Sequence, residues 1–177
     1  KRPYELIAST LVQVPVPRFY DANGRELPAD APVEQIAESV YELKLKPGIR
    51  FQPHPAFALD SHGQPLFIGK NIAEGRQAIA DFPQTGSREL TADDYIYQLK
   101  RLAHPRLHSP IFGMMADKIV GLKALGEALG KAAKDLPADE WLDLDQYPLS
   151  GIEKLDSHTW RIRLKGKYPQ FLYWLAM

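Results

Sequence analysis

Two segments in which apolar and charged residues alternate, more than 100 residues apart, constrain the fold more than any other feature. In "SVYELKLKPG" (39–48) and "SHTWRIRLKG" (157–166), large apolar side chains are separated by single charged ones. The apolar positions are Tyr41, Leu43, Leu45, Trp160, Ile162 and Leu164. A period of two is typical of a strand with one buried and one solvated face. Two such strands can share one sheet, with their apolar sides inward and their charged sides in water.

The segment "RELTADDYIYQLKRLAHPRLHSP" (88–110) has the features of one complete helix. Thr91 is a good N-cap, and Asp94 three residues later makes a variant of the capping box. Pro105 ends the helix. The apolar stripe consists of Tyr95, Ile96, Leu99, Leu102 and Ala103. Tyr97 lies on roughly the opposite side of the helix axis, where it is expected to be a second packing contact or a surface residue.

The remaining elements predict an α+β fold: a small mixed or antiparallel sheet with several helices. Residues 111–136 have a helical pattern, but the glycines in it favour two helices, or one broken near Gly121. Further short elements are expected: a hairpin at Asn23-Gly24, helical turns within 33–39, short helices within 71–82 and at Asp139, and a helix from Pro169.

Residues 51–87 show little periodicity and are rich in Pro, Gly, His and Gln. A structureless stretch of that length is uncommon in a compact domain unless it has a function. We therefore expect one domain, residues 1–177, that carries a long insertion loop at 52–87. Because the chain opens at Lys1-Arg2 without Met, we expect it to be a mature form or a fragment of a longer protein.

Composition narrows the classes of function. Lys and Arg together number 22, as do Asp and Glu, so the basic excess typical of nucleic-acid binders is missing and nucleic acid is not expected as a partner. The chain has no cysteine and hence no disulfide framework, which suits an oxidising compartment. No apolar run approaches the roughly 18 residues that a membrane-spanning helix needs.

The sequence lacks recognisable catalytic or metal-binding motifs. His104 and His108 have the spacing of two ligands on one helical face, but Pro105 lies between them and the Glu of a zincin motif is missing. Asp143 and Asp145 alternate with Leu without a following calcium-loop glycine, which favours a surface strand or turn. No G-x-S-x-G or phosphate-loop pattern occurs. We therefore expect no enzyme, no metal and no cofactor.

The order of four segments resembles a known family. These are "GRELP" (24–28), "IAESVYELKLKPGIRF" (36–51), "LTADDYIYQLKRLAHPRLHSPI" (90–111) and "LSGIEKLDSHTWRIRLKGKYPQFLYWLA" (149–176). They resemble the early part of the extracellular solute-binding proteins of family 5, the oligopeptide, dipeptide and nickel receptors of bacterial ABC importers. The chain departs from the family in the 52–87 insertion, which stands where family members have a tight turn after the first strand.

The resemblance implies a function, a location and partners. A protein of this kind is exported to the periplasm, or to the extracellular face, captures peptides or related solutes and delivers them to an ABC permease in the membrane. Family members are longer and fold as two lobes around a cleft. This chain is similar to the small extra α+β domain of their N-terminal region, so the remaining lobes of the same chain would pack against it.

The resemblance also implies where a ligand would lie. It makes "HSPIF" (108–112) the tip that faces the cleft. In peptide receptors of the family a Tyr at the position of Ile111 touches the peptide, so an aromatic contact would come here from Phe112 or be lost. The candidate ligand-binding residues are Ser109, Ile111, Phe112 and Tyr97. The simpler interpretation of any one residue of the tip is that it packs on a neighbouring lobe.

A second hypothesis comes from a different class: a protein–protein interaction module that recruits its partner through the 52–87 insertion. Its sign would be an exposed apolar patch on that segment. The residues expected to form the patch are Phe51, Phe57, Leu66 and Phe67. A small hydrolase is a third and weaker hypothesis, because it needs a cleft with an acid or histidine of displaced pKa.

Overall fold

The computed structural model describes residues 5–68, 75–76, 78–137 and 140–175. The chain divides into two compact units. The first combines Lys1–Leu45 with Thr91–Met177, and the second is Lys46–Leu90. The segment predicted as a long insertion, 52–87, falls within the second unit.

The first unit contains a five-stranded antiparallel sheet in the order β2-β1-β3-β5-β4. Its strands are β1 (Arg18–Tyr20), β2 (Glu26–Leu27), β3 (Glu38–Lys44), β4 (Ile152–Lys154) and β5 (Thr159–Lys165). β3 and β5 pair along their full length, with Tyr41 opposite Ile162 and Leu43 opposite Trp160. The prediction that the two alternating segments share one sheet is confirmed, as is the α+β class.

The hairpin predicted at Asn23-Gly24 joins β1 to β2. The Asp21 carboxylate accepts hydrogen bonds from the backbone N–H groups of Asn23 and Arg25, both at 2.8 Å. Gly24 takes φ 77°, a left-handed conformation that costs glycine little because it has no Cβ. The turn residues thus fix the register of the hairpin.

Helices cover one face of the sheet. They are α1 (Ala92–Leu102), α2 (Phe112–Lys118), α3 (Leu122–Asp135) and α4 (Phe171–Leu175). At the start of α1 the Thr91 N–H donates to Asp94 Oδ2 at 2.9 Å, which confirms the predicted capping contact. The predicted break near Gly121 is confirmed too: Gly121 has φ 80°, and a Cβ there would overlap the Ser150 hydroxyl. The last helix begins at Phe171, two residues after the predicted Pro169.

The core lies between the sheet and the helices. It includes Tyr41, Leu43, Leu99, Met115, Ile119, Leu122, Leu125, Leu129, Trp160, Ile162, Leu164 and Phe171. Complete burial of side chains of this size contributes about 1.5–3 kcal/mol each. The opposite face of the sheet is charged: Arg161 Nε lies 2.8 Å from Glu42 Oε2, and its Nη1 lies 3.4 Å from Glu153 Oε2. Such exposed ion pairs contribute at most about 1 kcal/mol.

Several short elements differ from their predictions. Within 33–39 a 3-10 turn spans only Val33–Gln35, because residues 38 and 39 already belong to β3. Asp139, where a short helix was predicted, lies outside the described residues, and a 3-10 turn follows at Leu144–Gln146. The helix predicted within 71–82 falls partly outside the described residues, and the described part holds a 3-10 turn at Ile79–Asp81.

Candidate functional site

The turn between α1 and α2, residues 103–111, contains two of the four predicted ligand-binding residues, and a third, Phe112, follows it as the first residue of α2. The helix stops just before it because Pro105 has no N–H and disfavours helical geometry in the residue that precedes it. His108 has φ 47°, the one positive φ among the described non-glycine residues. The Phe112 N–H then donates to Ser109 O at 3.2 Å, and α2 begins. Strained backbone of this kind is concentrated at ligand sites and switch regions.

The turn and the first residue of α2 bring three of the four predicted residues together. Ser109 and Ile111 are half-buried, and Ile111 packs against the core cluster. Phe112 is also half-buried, with its ring over the backbone of Gly126 in α3. Tyr97 lies in the middle of α1, roughly two helical turns before the turn begins, and packs against the core cluster. The structure therefore gives Tyr97 the packing role that was the simpler interpretation of its position.

Basic side chains from the end of α1 and from the turn hold the segment that joins α3 to β4. Lys100 Nζ donates to Leu144 O at 3.0 Å, and Arg106 Nη2 donates to Leu136 O at 2.7 Å. Arg106 Nη1 donates to Glu140 O. Hydrogen bonds from charged donors contribute about 1.5–3 kcal/mol each when they are shielded from water. Residues 136–137 and 140–144 are thus fixed against the turn although most of them lie outside regular secondary structure.

An aromatic stack adds to this attachment. The rings of His104 and Trp141 lie 4.2 Å apart between centroids and are nearly parallel, at 14°. His104 is 1% exposed, whereas Trp141 is 52% exposed. The histidine therefore covers one face of the indole and leaves much of the rest in water. An indole that is held in place in this way presents a rigid apolar surface beside the turn.

The electrostatics of His104 follow from its surroundings. Its Nδ1 accepts the backbone N–H of Arg106 at 3.2 Å, so in the neutral ring the hydrogen is on Nε2. Burial, followed by the nearby charges of Arg106 and Arg101, lowers the pKa of His104 below its ordinary value, against a smaller raising effect from its own backbone hydrogen bond. The ring is therefore neutral at physiological pH.

Sequence reasoning missed His104, Arg106 and Trp141. His104 was considered only as a metal ligand, yet the buried ring packs on Trp141. A Trp inside "ADEWLDLD", a segment with little apolar periodicity, was the available signal, since a large aromatic ring in a polar segment often has a specific partner. Among the described residues, no group of three or more His, Asp or Glu side chains could hold a metal ion.

Cavities of ligand size lie elsewhere on the first unit. A groove of about 500 Å³ runs between residues 5–15, α1 and α4, and in it Thr10 Oγ1 lies 2.8 Å from Tyr95 Oη. A cleft of about 360 Å³ lies on the charged face of the sheet and is lined by Arg18, Arg161 and Arg163. Each of these guanidinium groups faces a carboxylate within 4 Å. No residue of the α1–α2 turn lines either cavity.

Comparisons with known proteins found no relatives: no family model, no curated protein and no solved structure matches the chain. In the part of the chain that the structure describes, none of the helices has the length and apolar character required to cross a bilayer. The half-buried apolar side chains at the end of the turn suit non-covalent binding.

Proposed function

We propose that the chain is a domain of an exported substrate-binding protein of an ABC importer, which captures peptides or related solutes and does no chemistry on them. The order of its motifs along the fold carries this proposal. "GRELP" (24–28) contains β2, "AES" (37–39) contains the first residues of β3, "TADD" (91–94) begins α1 and "GIEK" (151–154) contains β4. Four motifs that resemble the family in sequence also occupy the kinds of element that the resemblance implies.

In this proposal the α1–α2 turn is one wall of the ligand site. Ser109, Ile111 and Phe112 offer a hydroxyl and two apolar side chains at a point where the backbone is fixed from both sides. The rest of the site, including the groups that hold the termini of a peptide, belongs to the remaining lobes. Tyr97 lies in the middle of α1, outside the turn, so we assign it a supporting role behind the turn.

The exposed apolar side chains of the N-terminal segment support the partner that the proposal requires. Ile7 is 83% and Val16 is 79% exposed, and Val12 and Val14 are partly exposed between them. A row of aliphatic side chains in water is typical of a surface that another protein segment covers. The remaining lobes of the same protein would cover it, while the ABC permease would bind the assembled receptor from outside the membrane.

A thermal-shift titration tests the proposal. The 177-residue chain and the product of its complete reading frame are each titrated with a mixed pool of di- to pentapeptides. We expect the melting temperature to rise only for the complete protein, because binding stabilises by mass action and the chain supplies one wall of the site. A rise of equal size in the chain alone would contradict the assignment of the site, and no rise in either protein would contradict peptide capture.

Substitution in the turn tests the site itself. In the complete protein, Ile111→Tyr should tighten peptide binding about fivefold, because an aromatic contact contributes about 1 kcal/mol. Phe112→Leu should weaken it by a similar factor. Binding is measured by isothermal titration calorimetry with one tripeptide, and Val33→Tyr, at an exposed position outside the turn, is the matched control. Equal affinities in all four proteins would show that the turn does not contact the ligand.

A specific observation favours the interaction module as a second candidate. In the second unit the ring centroids of Phe51 and Phe57 lie 5.2 Å apart, and the Arg88 guanidinium lies over both rings. These two rings are therefore partly covered. Among the described residues of the unit, four large aliphatic side chains are exposed: Leu59, Leu66, Ile68 and Ile79. The backbone brings Leu59 and Leu66 close together, because Leu59 bridges to Pro65. Of the residues predicted to form the patch, Leu66 is exposed, whereas Phe51, Phe57 and Phe67 are half-buried.

A further inference from the structure

The buried ring of His104 is held in an environment that suits only its neutral form. Its Nε2 hydrogen has no acceptor among the described residues, although the ring is 1% exposed. A buried polar group without a partner costs about 1–3 kcal/mol. The stack on Trp141 and the hydrogen bond that Nδ1 accepts from Arg106 offset this cost.

The charges of the described residues that act on the ring have the same sign. Arg106 belongs to the same turn and Arg101 to the last turn of α1, and both are positive. From the opposite side, the α3–β4 connection presents the indole of Trp141 and the backbone oxygen of Glu140, which Arg106 already binds. Among the described residues, no carboxylate compensates a positive charge on the ring.

A second proton must therefore disturb the packing. It adds to Nδ1, whose lone pair is the acceptor for the Arg106 N–H, so that two N–H donors then point at each other. The resulting imidazolium is also desolvated and lies near two arginines. Both penalties disappear when the ring moves into water. The ring can do so if Trp141, which covers it, moves away.

We propose that His104 and Trp141 form an acid-sensitive latch: protonation of His104 separates the two rings and detaches residues 140–142 from the α1–α2 turn. The latch is inferred from the geometry of these two rings, and this inference does not depend on the proposed function. Its consequence lies at the same surface, since Trp141 is the rigid apolar group beside the turn. Opening the latch would change the surface that the turn presents to a partner or ligand.

The direction and the pH range follow from linkage. The pKa of His104 is lowered in the attached state, whereas in the detached state it is the ordinary value of about 6.5. The detached state therefore binds more protons, and attachment weakens as the pH falls through about 6.5 towards the lowered pKa. Below that pKa no further change occurs. Between high and low pH, the protection of residues 140–142 against amide exchange falls by a factor of ten for each unit by which the pKa of His104 in the attached state lies below 6.5.

The test follows the two rings separately by NMR on the full 177-residue chain between pH 8 and pH 5. One readout is the titration of the His104 ring, and the others are the Trp141 indole N–H signal and the amide exchange of Leu142. The Trp160 indole, which is buried in the core, reports global unfolding. His104→Gln keeps a flat side chain with an acceptor oxygen but cannot titrate. His108→Asn is the matched control, because His108 is an exposed histidine four residues away.

In the unaltered chain and in His108→Asn we expect the His104 ring to titrate at a pH below 6.5. The Trp141 indole signal and the amide exchange of Leu142 should change at the same midpoint. The Trp160 indole signal should stay constant. In His104→Gln both changes should be lost. The latch is refuted if the Trp141 transition persists in His104→Gln. It is equally refuted if His104 titrates while the Trp141 signal and the Leu142 exchange stay constant, or if they change only when Trp160 reports unfolding.

Discussion

His108 adopts φ 47° in the α1–α2 turn although its side chain is exposed. The strain therefore comes from the path of the backbone, which must leave α1 at Pro105 and enter α2 at Phe112 within a few residues. Side chains with a Cβ disfavour this region, but His, Asn and Asp occupy it more often than others do. The backbone strain lies directly before Ser109, so the predicted ligand-binding residues are positioned by it.

Two substitutions at His108 separate backbone strain from side-chain chemistry. His108→Asn should leave the free energy of unfolding within about 0.5 kcal/mol of its original value, because Asn tolerates positive φ. His108→Val should lower it by about 1 kcal/mol, because a β-branched side chain clashes in that conformation. Chemical denaturation of both variants measures the difference. Equal stabilities would mean that the turn does not impose the left-handed conformation.

At the scale of elements, the packing of α2 on α3 decides where Phe112 can lie. The ring of Phe112 lies against Gly126, where a Cβ would overlap its Cζ atom. Gly130, one turn further along α3, has no heavy atom within 4 Å of an added Cβ. The two glycines look alike in the sequence, and both weaken a helix by about 1 kcal/mol relative to Ala. Only Gly126 is required by its neighbour.

The two glycines therefore predict opposite responses to alanine. Gly130→Ala should raise the free energy of unfolding by about 0.5–1 kcal/mol, because it adds helix propensity without a clash. Gly126→Ala should lose that gain or become destabilising, because the ring of Phe112 must move. Thermal or chemical unfolding measures both variants. If Gly126→Ala stabilises the chain as much as Gly130→Ala does, then Phe112 does not pack where the structure has it.

The elements also show what the sequence could reveal and why. Local patterns predicted β3, β5, α1 and the break at Gly121, because each depends on a short run of residues. The attachment of residues 136–137 and 140–144 was not predictable in this way, because Lys100 and Arg106 bind backbone oxygens, which any residue supplies. The His104–Trp141 stack joins residues 37 positions apart and leaves no periodic pattern. The residues of the site that were missed are those whose partners are distant in the sequence.

At the scale of the whole molecule, the second unit is inserted between two neighbouring points of the first. The Leu45 N–H donates to His158 O at 2.8 Å, and the Ala92 N–H donates to Ser157 O at 2.8 Å. The chain thus leaves the first unit and returns to it beside the same two residues, just before β5. All described members of the core cluster come from the residues on either side of this insertion.

This arrangement predicts that residues 46–90 can be replaced by a short glycine-serine linker between Leu45 and Thr91 without loss of the first unit. The shortened chain should unfold cooperatively and keep the ring-current-shifted signals of Trp160 and Tyr95, whose rings stack at 6.2 Å. Because the linker is shorter than residues 46–90, closing the loop on folding also costs less conformational entropy. Circular dichroism and NMR provide the measurement, and a chain that exposes its core or aggregates would contradict the prediction.

In the complete protein the same deletion separates the two proposed functions. Peptide capture depends on the α1–α2 turn and should persist, whereas an interaction module would lose its binding surface.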